Sequence, residues 1–226
     1  ALLLPRMVPL GDLDAEELAL TTGASIAPAI SPRRRQLLLA QLVARFNDTW
    51  LPAQHLAYAR QLGRLMDDIA IENADVAKLD DLASGTGISE HWGLTLNFLK
   101  PVLAAWPAIL EAEGALDPVA RRNLLLEAQA KAWRETPPQT PVIAAGMTGV
   151  IPAIATLLRA VLALPKGEIV LPGLPTSAAA SSWWNKVDET HPHYGLRDLL
   201  AKLDLSLTQV ALWPAVPQAN TARHNL

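Results

Sequence analysis

Cysteine is absent from the 226 residues, so disulfides, thiolate metal sites and cysteine nucleophiles are excluded for this chain. A cytoplasmic protein is the expectation, since a reducing compartment is compatible with that absence. Neither sign of charge prevails: 19 Lys and Arg stand against 22 Asp and Glu, a net charge of -3. Nucleic-acid binding by bulk positive charge is therefore excluded, while a local basic groove is not. No apolar stretch has the length of a membrane span, and Ala1-Leu2-Leu3-Leu4-Pro5 is too short for a signal core. A glycine-rich loop ending in Lys-Ser or Lys-Thr, which would cradle phosphates, is missing. Ser84-Gly85-Thr86-Gly87 comes nearest, but it lacks the lysine and reads as an interhelical turn. No Ser–His–Asp set, paired-carboxylate motif or dinucleotide fingerprint stands out, and nothing implies a cofactor.

What is present divides by pattern. Ala1–Leu4 is an apolar run stopped by Pro5, as in a buried parallel strand; a chain that opens inside a strand reads as a piece of a longer protein. Asp12 or Asp14 is a candidate N-cap for a short acidic segment, and Thr21–Ile30 reads as a linker. At Ser31-Pro32 a cap and a first-turn proline open a helix carrying Leu39, Leu42, Val43 and Phe46. A second helix starts near Pro52 with a stripe of Tyr58, Leu62, Leu65, Met66 and Ile69. A short third is expected from Asp75 to Leu82. A fourth follows Ser89, with Trp92, Leu99 and Trp106 on one face and with Pro101 and Pro107 as kinks. Asp117-Pro118 opens a fifth that runs to about Trp133. Period-two alternation is missing throughout Ser31–Glu135.

After Pro137-Pro138 the texture becomes α/β. Val142–Ala145 reads as a strand, Pro152–Leu164 as a helix and Glu168–Leu171 as a second strand, parallel to the first. A helix over Gly195–Leu203 and a strand over Gln209–Trp213 are expected to follow. The simplest architecture places residues 1–30 and 136–226 in one partial α/β domain, with residues 31–135 as an all-helical insertion.

Candidate chemistry is sparse. A nucleotide-hydrolysing fold needs carboxylates at the end of the strand beside its phosphate loop, to hold Mg²⁺ and to orient water. Here the strand runs into Ala145, Gly146 and Met147, which do neither. That stretch is either a degenerate catalytic position or a core strand with a tight turn. Arg33, Arg34 and Arg35 occupy the first turn of a helix, where cations oppose the macrodipole at a cost of a few tenths of a kcal/mol. They are candidate phosphate contacts, as are Arg121 and Arg122 more weakly; a solvated charged face is the plainer reading of both. Asp188, Glu189, His191 and His193 have ligand chemistry for zinc, but Pro192 and the loop context favour an exposed turn, and no metal is expected. Trp183-Trp184 borders a polar loop, so at least one ring is expected at the surface or an interface.

Several of these stretches together resemble one family. Leu2-Leu3-Leu4-Pro5-Arg6-Met7 with Pro9-Leu10-Gly11-Asp12, His91-Trp92-Gly93-Leu94-Thr95-Leu96-Asn97-Phe98-Leu99, and Ala105-Trp106-Pro107-Ala108-Ile109-Leu110 are similar to the alphaproteobacterial type of AddB. Val142-Ile143-Ala144-Ala145-Gly146 with Thr148, Gly149, Ile151 and Pro152, and His191-Pro192-His193-Tyr194-Gly195-Leu196, agree and keep the order. The resemblance implies an inactivated superfamily I helicase module: a RecA-like, P-loop-NTPase-type parallel sheet (partial, helicase 1A-like) with a large all-helical insertion (1B-like). Ala145, Gly146 and Met147 would then stand at a degenerate Walker-B position. DNA and an AddA-like helicase–nuclease subunit are the implied partners, in repair of double-strand breaks, and the family's nuclease domain would lie outside this chain. An ATP-hydrolysing helicase domain and a purely structural interaction module are the alternatives.

Overall fold

The structure, a computed structural model, describes residues 4–10, 12–22, 25–46, 49–76, 90–149, 151–175 and 183–212; for 21–22 and 90–97 it describes the backbone alone. It is mixed α/β and mostly helical, with a small parallel two-stranded sheet. The chain divides into two compact units, Ala1–Gln129 and Ala130–Leu226.

The first unit is helical. α1 (Ala15–Thr22) begins where Asp14 Oδ1 accepts hydrogen bonds from the backbone N–H groups of Glu16 (2.9 Å) and Glu17 (3.3 Å), which satisfies donors a helix start leaves unpaired. α2 (Pro32–Phe46) and α3 (Pro52–Glu72) each open on proline, whose missing N–H costs nothing at a first turn. They pack face to face: Leu39, Leu42 and Val43 of α2 meet Ala59, Leu62 and Met66 of α3 in one buried cluster. α4 (Glu90–Ala112) adds Leu99, Val102 and Trp106 to that cluster and stays helical through Pro101 and Pro107. α5 (Pro118–Glu135) follows.

The apolar stripes of α2 and α3 are narrower than the sequence predicts. Tyr58 and Leu65, assigned to the apolar stripe of α3, are exposed, as is Phe46 at the end of α2. The helices bury only the narrower seam that faces the neighbouring helix, and residues a quarter-turn away stay at the rim. Residues 28–30 are bonded to Leu116, just before α5. In the structure the Ile30 N–H donates to Leu116 O, the Leu116 N–H donates to Pro28 O, and Ala29 bridges Leu116 in parallel. The expected short helix beyond Asp75 and the strand at Ala1–Leu4 lie largely outside the described residues.

The second unit is built on β1 (Val142–Ala145), α6 (Pro152–Ala163) and β2 (Gly167–Val170), with the two strands parallel and Ala144 beside Ile169. α6 buries Ala153, Leu157, Leu158 and Val161. α7 (Tyr194–Lys202) packs on α6 through Leu196, Leu199 and Leu200, and Arg159 Nε donates to Lys202 O at 2.8 Å, supplying a cation at the negative end of that helix. Of the expected final strand over Gln209–Trp213, Gln209 ends a 3₁₀ turn, Leu207–Gln209, residues 210–212 are irregular, and Trp213 lies outside the described residues. The Gln209 N–H donates to Ser206 O at 3.1 Å and the Val210 N–H to Leu207 O at 3.3 Å, so local turn bonds take the first backbone donors that strand would have paired.

Candidate functional site

The triple-arginine start of α2 is resolved into three different fates. Arg35 is turned inward, its side chain 11% exposed. Its Nη1 and Nη2 donate to the two oxygens of Asp67 at 3.1 and 2.8 Å, a forked pairing. Its Nε reaches Asp117 Oδ2 at 3.2 Å and its Nη2 reaches Gly63 O at 3.3 Å. Asp117 also accepts from Trp106 Nε1 at 2.8 Å. One guanidinium thus ties α2 to α3 and to the residue that opens α5, with Trp106 of α4 locked to the same carboxylate. Arg34 forms a forked pair with Glu113, at 2.9 and 2.6 Å, which holds the Glu113 carboxyl below its usual range, chiefly through the side-chain hydrogen bond. Arg33 is exposed and has no partner among the described residues. The macrodipole conflict expected from three cations is therefore offset by carboxylates brought from other helices.

Arg121 and Arg122 also part ways. Arg121 Nε donates to Ala27 O at 3.0 Å, pinning residues 25–30 to α5. Arg122 has Nε and Nη2 buried without an acceptor, and the neighbouring Asn123 has Oδ1 buried without a donor while its Nδ2 donates to Ala70 O at 2.9 Å. Arg122 is half-buried, and a partly desolvated cation without a partner for these atoms among the described residues keeps its field.

At the end of β1 the backbone, rather than a side chain, sets the geometry. Gly146 has φ +86, a left-handed conformation that glycine adopts without strain, and its N–H closes the parallel ladder on Val170 O at 3.2 Å. Ala145 and Gly146 are exposed, Met147 is half-buried, and Thr148 and Gly149 follow. No carboxylate stands in this stretch. The loop then passes close over the start of α7: a Cβ on Gly195 would collide with the Thr148 carbonyl oxygen.

The histidine-rich turn is an aromatic cluster. The Trp183 ring lies 5.3 Å from His191 and 5.7 Å from His193, and Trp184 packs beside them, buried. Trp183 is half-buried and Trp184 is buried. His191 Nδ1 accepts from the His193 N–H at 3.1 Å, and Asp188 Oδ1 accepts from Thr190 N and Oγ1, so these groups are engaged locally. The Thr190 hydroxyl bond holds the Asp188 carboxyl below its usual range. No group of three or more potential metal ligands occurs among the described residues, and no helix there is long and apolar enough to cross a membrane.

One feature was not singled out from the sequence. A groove of about 340 Å³ runs between α2, α3 and the start of α5, lined among others by Arg35, Arg60, Gly63, Arg64 and Val119. Arg60 and Arg64 are exposed, one helical turn apart, and neither has a partner among the described residues. The signal available in sequence was their i, i+4 spacing.

Comparison with protein-family models, with curated proteins and with solved structures finds no match for this chain.

Proposed function

We propose that this chain is a non-catalytic, inactivated helicase-like module of the AddB type, acting in DNA handling and as scaffold for an AddA-like motor subunit in the cytoplasm. On this reading residues 1–30 and 136–226 are parts of a RecA-like domain (1A-like), and residues 31–135 are the 1B-like insertion. The observation that carries the proposal is the end of β1. A parallel strand, a tight turn at Gly146, a helix and a parallel return strand give the strand–turn–helix–strand order of a nucleotide-binding sheet. The position where Mg²⁺ and water would need carboxylates holds Ala145, Gly146 and Met147.

The sheet supports the scaffold half of the proposal. Parallel sheets are covered on both faces, yet Ile143 on β1 is 55% exposed. β1 carries no charged residue, whereas β2 carries Glu168, the kind of residue that guards a true edge. β1 thus has the chemistry of an interior strand and β2 that of an edge.

Fluorescence anisotropy of a labelled single-strand-tailed duplex tests the DNA half, at low and moderate salt. The expected result is binding that weakens with salt, without Mg²⁺-dependent ATP turnover. ATP hydrolysis by the chain would overturn the non-catalytic reading. A folded sample that does not bind DNA would leave the interaction-module alternative in its place. Arg35 is unsuitable as a binding variant in that assay, because its loss acts on the fold.

A further inference from the structure

We infer that the groove between α2, α3 and the start of α5 is a phosphodiester-binding site, with Arg60 and Arg64 as its contact residues. The inference rests on the DNA-handling reading and names where on the helical unit the strand lies.

Charge is the first support. The chain as a whole is net negative, but the carboxylates around this groove are already committed. Asp67 and Asp117 are engaged by Arg35, and Asp117 by Trp106 as well. Arg60 and Arg64 have no ion-pair partner among the described residues. Asp68, one turn beyond Arg64, marks where the basic run ends.

Arg122 gives the second, independent support. It lies one turn along α5 from Pro118 and Val119, on the face that those two residues present to the groove. Its buried Nε and Nη2 have no acceptor. A guanidinium stays charged at any working pH, and Arg122 is half-buried, where a charge is screened by salt less than at the open surface. Arg122 thus adds positive potential at that end of the groove without needing to touch a ligand.

Shape and residue type then select the ligand. Two guanidinium forks one turn apart suit the forked hydrogen bonding of phosphate oxygens. Among the described residues, the groove lining contains no Trp, Tyr, Phe or His. Base stacking is absent from such a site, so recognition runs through the sugar–phosphate backbone and is indifferent to base sequence. Gly63 leaves the floor low: a Cβ there would come within 3.5 Å of Arg35 Nη1 and of a Leu39 methyl.

The test compares the full chain with an Arg60→Gln, Arg64→Gln double variant. Both side chains are exposed, and circular dichroism melting confirms that the variant is folded. Each protein is titrated into a labelled single strand of about 15 nucleotides and into a duplex of the same length. Salt is varied between about 50 and 200 mM. Binding by the wild type is expected, with a log–log salt slope that falls by roughly 0.7 per arginine on the single strand, or about 0.9 on the duplex. Exchange of the base sequence is expected to leave the affinity unchanged. Wild-type binding with the double variant equal in affinity and slope would overturn this site while leaving the DNA-handling reading in place. No binding of either DNA by the folded wild type would remove both. Arginine-dependent binding to phosphatidylserine vesicles without DNA binding would overturn it in favour of a lipid headgroup.

Discussion

Arg35→Met is the sharpest test of how the helical unit holds together. Methionine keeps an unbranched stem beside Leu39 and Gly63 but removes every donor. The wild-type guanidinium makes two bonds to Asp67, contacts Asp117 through Nε and Nη2, and adds one bond to Gly63 O. The side chains of Arg35 and Asp117 are 11% and 13% exposed, and that of Asp67 is 31% exposed. Removing one partner of a buried pair costs about 3–5 kcal/mol, because the other charge is left desolvated. Water reaches Asp67 and recovers part of that loss, while Asp117 keeps Trp106 Nε1 as a donor. The expected destabilisation is therefore near the lower end, about 3 kcal/mol. For a unit of this size that corresponds to a fall in Tm of about 10 °C. The assay is urea unfolding followed by far-ultraviolet circular dichroism, with Arg33→Met as the comparison, expected within about 0.5 kcal/mol of wild type. A double-mutant cycle with Asp117→Asn should show a coupling well above that value. An Arg35→Met protein within about 1 kcal/mol of wild type would refute the reasoning, since no unmade buried hydrogen bond to a charge is that cheap.

Two further perturbations act on the backbone and on the rim. Gly146→Ala meets open space but places an alanine at φ +86, so thermal melting should report a loss of about 1–2 kcal/mol from strain alone. Gly195→Ala, by contrast, sets a methyl against the Thr148 carbonyl and should cost more than Gly146→Ala although its φ is ordinary; the reverse order in the same melts would contradict the packing of this loop on α7. Arg34 holds the Glu113 carboxyl low, so its contribution to stability is complete above the ordinary glutamate value of about 4.3 and fades as pH falls through the depressed folded-state value. Glu113→Gln should therefore reduce stability at neutral pH and converge with wild type in acid, as read by denaturant midpoints across that range. A gap that widens on acidification would show the pair to be something other than an ion pair.

Much of the helical frame was legible because its punctuation is local. Ser31-Pro32, Pro52, Asp117-Pro118 and Pro152 each mark a first turn by a missing donor or a cap, and α2, α3, α5 and α6 begin there. The parallel strand pair was legible for a related reason: two short apolar runs separated by one helix leave little topological choice. What was not legible depends on distance. Asp67 and Asp117 lie 32 and 82 residues from Arg35, and nothing in the local pattern joins them. The run at Val210–Leu212 shows the ambiguity of short apolar segments: it is irregular, and its first N–H, on Val210, closes back on Leu207 O of the preceding turn. Tyr58 and Leu65 failed as core residues because periodicity gives the direction of the apolar face but not its width. The neighbour fixes the width, and α2 covers only the seam through Ala59, Leu62 and Met66.

The arginines show why charge in sequence is a poor guide to charge in space. A run of three cations at a helix start is unfavourable for that helix, so a stable fold must either expose them or bring anions to them. This chain brings Asp67 and Asp117 to Arg35 and Glu113 to Arg34. Most of the charge of the most conspicuous basic stretch is thereby spent inside the unit, and only Arg33 is left over. Arg60 and Arg64 look unremarkable in sequence because two residues of other kinds flank each on both sides. Neither has a partner among the described residues, and Asp67, one turn along α3 from Arg64, is already engaged by Arg35. A site for an external anion is therefore to be sought where the internal network has exhausted its acids, and on this helical unit that is the groove beside α3 rather than the first turn of α2.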